Sequence, residues 1–194
     1  MTNYLKHLEL PVIDFDFSGQ KYAQLETYIS NLKLKDIESD DKFNSALQII
    51  KSRFLLKPVL FDSPQIIDHH QTEKDFHSSY ENPWGGKRKI FVIKVEIKFT
   101  GDTELFKFRP NGYLHGSEEP YIYQPSGNNI FLEVEIFNLE DKNKVFAEVQ
   151  SKMSMTYKFV ESNNAYIKNW KLSFEPLIES KLLSHKEKLE QLYK

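Results

Sequence analysis

The sequence has no cysteine. That excludes disulfides, a thiol nucleophile and a thiolate zinc site. Glycine and proline are scarce, at 7 and 8 residues, which excludes collagen-like and low-complexity architectures. No run approaches the roughly 18 uninterrupted apolar residues of a membrane-crossing helix. The best candidate, 89–99, is broken by Lys94, Glu96 and Lys98. Neither sign of charge dominates: 26 basic and 28 acidic residues leave a formal net charge of −2. This removes the bulk electrostatic argument for non-specific nucleic-acid binding and leaves only a local patch. The first seventeen residues lack the basic start and apolar run of a secretory signal. The expectation is a cytoplasmic, reducing location without membrane attachment.

What is present is core material. Of 194 residues, 40% are hydrophobic and 14% aromatic, including 15 Phe and 10 Tyr. That is too apolar for a disordered chain and suits one packed domain. Residues 1–17 alternate polar and apolar side chains, as in a short strand or an extended arm. Ser18 reads as an N-cap with Lys21 opening a helix, because Tyr22, Leu25, Ile29 and Leu32 recur at spacings of three and four. A second helix is expected from Asp40 or Asp41, with Phe43, Leu47, Ile50 and Phe54 on one face and Pro58 as its stop. Residues 1–57 thus form an N-terminal helical segment. Residues 58–88 carry Pro58, Pro64, Pro83, Gly85 and Gly86 and hold no period. They are expected to be a long loop or linker.

From 89 to 194 the pattern predicts a β core with C-terminal helices. Ile93, Val95, Ile97 and Phe99 alternate with Lys94, Glu96 and Lys98, giving one dry and one wet face. Residues 100–102 make a turn in which Gly101 supplies a positive φ. Residues 104–109 are expected to be a short strand, and 109–112 a turn. Residues 121–123 suit another strand, and 125–128 another turn. Then Ile130, Leu132, Val134 and Ile136 face one way, with Glu133 and Glu135 on the other side. From Asp141 the period becomes helical through Val145, Val149, Met153, Thr156 or Tyr157, Val160, Ile167, Trp170 and Phe174. Leu177, Ile178, Leu182, Leu189 and Leu192 extend the stripe beyond Pro176. The fold class is α+β: a small antiparallel sheet, N-terminal helices, and one long C-terminal helix kinked near Glu175 or a helix pair. All of it is expected to be one domain.

The stretch Gly101-Asp102-Thr103-Glu104-Leu105-Phe106, followed by Arg109-Pro110-Asn111, resembles a turn motif of a group of uncharacterised bacterial proteins. In them an apolar strand and a long helix with an aromatic near its end follow, as Ile130 to Ile136 and Trp170 do here. The similarity covers about half of the chain. In longer members of that group a PD-(D/E)XK-like endonuclease domain comes next, at a point beyond Lys194. The resemblance implies an accessory region of a nuclease-like or defence-associated protein. It carries over no catalytic residue.

Four groups of residues are candidates for chemistry. Glu96 and Lys98 are the E-x-K half of a metal-dependent nuclease motif, with Glu96 holding Mg²⁺ and Lys98 positioning the attacking water. Alternating charge is also what any half-solvated strand shows. His69, His77 and Asp75, with His70 and Asp68 nearby, are the densest set of metal-ligating types. Their spacing matches no zinc signature, and a polar surface loop is the simpler explanation. Asp102, Glu104, Arg109 and Tyr113 bracket the turn motif and offer either a phosphate or carboxylate site or an internal brace, with Asp102 capping the turn and Arg109 pairing Glu104. Trp84, Lys87 and Arg88 combine an aromatic with bases, the pattern that holds single-stranded nucleic acid. It also fits a basic edge strand that resists aggregation.

The reading these features favour is a non-catalytic binding or assembly module, accessory to a bacterial defence or nuclease system. It would contact a protein partner or a second copy through the C-terminal helices. No cofactor is expected. The alternatives are a small metal-dependent nuclease and a nucleic-acid-binding domain.

Overall fold

The computed structural model describes residues 8–9, 17–76, 85–107 and 122–193. The element order follows the predicted α+β plan. Helices α1 (Phe17–Ser30), α2 (Leu34–Ile37) and α3 (Asp40–Phe54) come first. Strands β2 (Leu60–Phe61), β3 (Gln65–Phe76), β4 (Gly86–Thr100) and β6 (Asn129–Ile136) form the main sheet. Two residues each of β1 (Leu8–Glu9) and β5 (Ile122–Tyr123) pair apart from it. Helix α4 (Lys142–Leu192) closes the chain.

The N-terminal helices form where the apolar spacing predicts them. Ser39 caps α3, its hydroxyl accepting from the Lys42 N–H at 3.4 Å. At α1 the structure differs: the helix begins at Phe17, not Lys21. Phe17 is buried edge-on against Trp170 with ring centroids 5.4 Å apart, and the Ser18 hydroxyl meets the Tyr166 hydroxyl at 2.7 Å. Ser18 therefore contacts a helix far away in sequence instead of capping its own.

The segment 58–88 is not a plain loop. Residues 65–76 form the twelve-residue strand β3, paired antiparallel along β4 from Gln65–Glu96 to Phe76–Gly86. Almost every residue of β3 is exposed on both faces, so burial imposes no apolar alternation on it. A bulge between Ile66 and Asp68 shifts its register. The expected strand over 104–109 is also corrected. Residues Thr103–Phe106 wind into a 3-10 turn that buries Leu105 and Phe106.

Strand β4 is the centre of the sheet, with β2 and β3 along one edge and β6 along the other. Its odd face is dry: Ile93, Val95, Ile97 and Phe99 are buried with Ile130, Val134 and Ile136, the last three from β6. Helix α4 closes this layer with Val145, Val149, Met153, Thr156, Phe159 and Val160. Phe61 meets Phe99, Phe106 and Tyr157 edge to face beneath the sheet, 5.0 Å from Tyr157, and Phe99 lies tilted against Phe106 at 5.1 Å. Asp141 caps α4 by accepting from the Lys144 N–H at 3.0 Å.

Helix α4 is continuous through Pro176. At 1.5 Å per residue it extends for roughly 75 Å. Its first half packs under the sheet and its second half packs on α1–α3 through Ile167, Trp170, Phe174, Ile178 and Leu182. Most of the apolar stripe, which could be core or interface by its pattern alone, is thus core at the seam between two halves of one molecule. Leu183 and Leu192, near its end, remain exposed. Among the described residues no helix is long and apolar enough to cross a membrane.

Candidate functional site

The sheet is covered by α4 on one face only, and its other face carries the charged side chains of β4. Strand periodicity puts Lys94, Glu96 and Lys98 there together, as the sequence predicts. Register then sets their neighbours. Lys94 lies between Asp68 of β3 and Glu133 of β6, and its Nζ is 3.5 Å from the Asp68 carboxylate. Glu96 lies between Gln65 and Phe131, and Lys98 is opposite Asn129. Glu96 pairs with Lys98 itself at 3.7 Å. The structure therefore brings the two nuclease candidates together but seats an amide and an aromatic, not a second carboxylate, at the cross-strand positions beside Glu96.

At this level the open face is indented. A groove of about 400 Å³ is lined by Ile67, Asp68, Lys94, Ser126, Phe131 and Glu133. The bulge that displaces Ile67 helps to form it, because the extra residue breaks the alternation at the sheet edge. The turn after β5 supplies Ser126, with Gly127 at φ +61° and a bridge from Ser126 to Asn129. Ile67 is about half exposed. The groove thus combines apolar contact surface from Ile67 and Phe131 with one cation and two carboxylates. Toward the β3–β4 turn the same face becomes apolar: Ile90 and Val92 are buried, and Phe76 meets Phe137 at 5.7 Å.

The other candidates are dispersed. His69 and Asp75, expected to share a loop and a metal, sit six residues apart on an extended strand. At about 3.3 Å per residue that is roughly 20 Å, too far for one ion, and His77 lies outside the described residues. Among the described residues no group of three His, Asp or Glu side chains converges as a metal site would require. Trp84 also lies outside the described residues. Lys87 and Lys89 sit directly opposite Asp75 and Glu73 across the hairpin, and Arg88 lies over the Phe76 ring at 5.8 Å. The basic run is therefore interleaved with acids from β3.

The turn motif braces the fold where it is described. The Lys57 N–H donates to the Asp102 carboxylate at 2.6 Å, and the Asp102 N–H donates to the Lys57 carbonyl at 3.1 Å. Glu104 takes Lys21 of α1 as its partner at 2.7 Å, where the sequence suggested Arg109. Arg109 and Tyr113 lie outside the described residues. Gly101 has the expected positive φ, +101°.

Residues that sequence reasoning passed over carry much of the positioning. Asn163 donates to the Leu105 carbonyl at 2.7 Å, and Thr156 accepts from the Tyr123 N–H at 3.0 Å, both buried on α4. Burial raises the phenol pKa of Tyr123 and of Tyr157 above the ordinary value. A signal for β3 itself was present: Glu73 and Asp75 repeat at the spacing of Lys87 and Lys89, a charge match across a hairpin. No protein-family model, curated protein or solved structure matches the chain, and the site is read from its own geometry.

Proposed function

We propose that this chain is a non-catalytic binding and assembly module whose working surface is the open face of the β3–β4–β6 sheet. The observation that carries the reading is the groove: apolar side chains at Ile67 and Phe131, ringed by Asp68, Lys94 and Glu133. Sites that hold polypeptide combine apolar contact with a few placed charges in this way. The residues the nuclease alternative would use are paired with bases: Glu96 with Lys98 and Asp68 with Lys94, while Asp75 stands opposite Lys87. The fitting occupant is an extended protein segment with an apolar side chain between charged ones. The resemblance of the turn motif adds a context, that of an accessory to a nuclease or defence system.

The test is site-directed photo-crosslinking in cells that express the chain from its own gene. A photoreactive phenylalanine analogue at Phe131 is expected to give a discrete adduct. The same analogue at Leu172, exposed on the far helix, is expected to give none. Lys94→Glu is expected to reduce the Phe131 adduct several-fold. Absence of an adduct at Phe131, or identical adducts from both positions, overturns the proposal. The nuclease alternative has its own assay, with labelled DNA and RNA and Mg²⁺ or Mn²⁺. Cleavage abolished by Glu96→Ala would replace the binding reading with a catalytic one.

A further inference from the structure

Strand β3 is twelve residues long, exposed throughout to Asp75, and hydrogen-bonded on its β4 side; among the described residues nothing pairs with its other edge. It contains no proline. Long open edges are templates for another strand, and proteins either blunt them or use them. The order of side chains on this edge points to one particular partner.

We propose that two copies of the chain join edge to edge through β3, antiparallel about a two-fold axis at Gln71. With Gln71 opposite its own copy, His70 faces Thr72, His69 faces Glu73, and Asp68 faces Lys74. A two-fold axis repeats each pair, so both ends of the seven-residue match gain an ion pair. The match is specific to its register. Moving the axis by half a residue sets Asp68 against Glu73 in one direction and against Asp75 in the other. Moving it by a whole residue sets Asp68 against Thr72 or Phe76, and the Asp68–Lys74 pair is gone.

The backbone agrees with this axis. The His69 N–H is met by the Asp68 carboxylate at 2.8 Å. This marks His69, and by alternation Gln71 and Glu73, as the residues whose N–H and C=O groups face the open edge. These same residues stand opposite one another in the pairing, as His69 with Glu73 and Gln71 with itself, so each pair exchanges two backbone hydrogen bonds. The Asp68 and Lys74 side chains are 59% and 47% exposed although each already has a partner, Lys94 and Glu135 respectively. Each therefore has room for a second. On pairing, the Asp68 carboxylate leaves its own His69 N–H for the Lys74 ammonium of the other copy. The bulge at Ile67 ends the regular run on one side and limits the match to 68–74. The product is one continuous sheet with β6 at each outer edge.

This inference rests on the assembly reading only in assigning the sheet to contact. The edge and the groove share Asp68, but positions 71 and 131 report them independently, so a failed edge test leaves the Phe131 adduct interpretable, and the reverse holds. The chain has no cysteine, so a single introduced thiol reports one position. Full-length Gln71→Cys under mild oxidation is expected to convert to a disulfide-linked species of about 46 kDa, twice the 22.9 kDa chain mass. Opposed residues in an antiparallel pair lie within the roughly 4.4–6.8 Å between Cα atoms that a disulfide spans. Glu73→Cys, whose copies would lie four residues out of register, is expected to remain at 22.9 kDa. Light scattering supplies the second measurement. His69→Glu sets an acid against Glu73 in each of the two symmetry-related pairs and is expected to weaken dimerisation about tenfold or more. His69→Glu combined with Glu73→Lys is expected to restore it. A wild-type chain monomeric at every concentration overturns the proposal, and so does equal crosslinking at positions 71 and 73.

Discussion

Asn164 and Val59 exchange a pair of hydrogen bonds 105 residues apart: the Val59 N–H donates to Asn164 Oδ1 at 2.9 Å, and Asn164 Nδ2 donates to the Val59 carbonyl at 2.8 Å. The amide of a helical side chain thus completes the backbone pairing of the segment that enters β2. Val59 is buried, so water cannot replace either bond. Asn164→Leu strands both groups and is expected to lower stability by about 2–4 kcal/mol. Asn164→Asp keeps an acceptor for the N–H, loses the donor to the carbonyl, and is expected to destabilise as well. Urea unfolding followed by circular dichroism measures both. An unchanged midpoint for Asn164→Leu would show that this clamp does not hold the sheet to the helix.

Gly101 lies against the same segment. A Cβ at this position would stand 2.1 Å from the Pro58 carbonyl oxygen and 2.8 Å from the Val59 Cα, and the backbone has φ +101°. Both contacts are with backbone, which cannot swing aside as a side chain does. Gly101→Ala is expected to cost about 2–4 kcal/mol from strain and displacement together. Asp102→Ala, which removes only the bond to the exposed Lys57 N–H, is expected to cost about 1 kcal/mol. The ratio of the two losses, read from urea midpoints, separates the backbone requirement from the side-chain one.

Thr156 holds β5 to the long helix. Thr156→Val keeps the shape but leaves the Tyr123 N–H without its acceptor in a buried site, at an expected cost of about 1–3 kcal/mol. Thr156→Ser keeps the hydroxyl and is expected to lose less. Near-ultraviolet circular dichroism of the tyrosines, together with thermal unfolding, reads both effects.

The pair between Glu26 of α1 and Lys181 of α4, 2.7 Å apart, makes a pH prediction. Bonding to Lys181, and secondarily to Tyr22, holds the Glu26 carboxyl below its ordinary value of 4.5. The same partners, Glu26 first, lift Lys181 from 10.5 to about 12. A lowered carboxylate adds stability above its unfolded value and loses it as pH falls through the folded one. A raised ammonium adds stability below its unfolded value and loses it as pH rises through the folded one. The pair therefore contributes between about pH 5 and pH 10 and fades outside that window. The melting temperature of Glu26→Gln is expected to lie below wild type across the window and to converge with it at acid pH. A difference that persists at pH 3 would assign the effect to something other than this pair. Both groups are solvent-exposed, so salt is expected to shrink the difference.

The elements most legible in the sequence are those with one dry face. Val95, Val134 and the stripe from Val145 to Phe174 are buried where their periods put them. The polar character of Lys94, Glu96 and Lys98 was equally plain. Strand β3 was hidden because neither of its faces is dry; it is specified by charge opposite β4, which local patterning does not register. Residues 104–109 looked like strand because apolar Leu105 and Phe106 sit in a short run after a turn, yet both are buried by a 3-10 turn that packs against the middle of α4 at Asn163. The groove was illegible for a related reason. Ile67 and Phe131 meet Lys94 only through a bulge and a three-strand register, and neither is encoded by spacing along the chain.

The route by which α4 serves both halves has a consequence for biosynthesis. Ser18 meets Tyr166 across a sequence separation of 148. At a translation rate of roughly 10 residues per second, α1 emerges about 15 s before the surface it packs on. During that interval Leu25, Ile29, Ile50 and Phe54 lack the cover that α4 gives them. The nascent chain is therefore a natural client for holdase chaperones, and its yield should depend on them more than the finished molecule's stability would suggest.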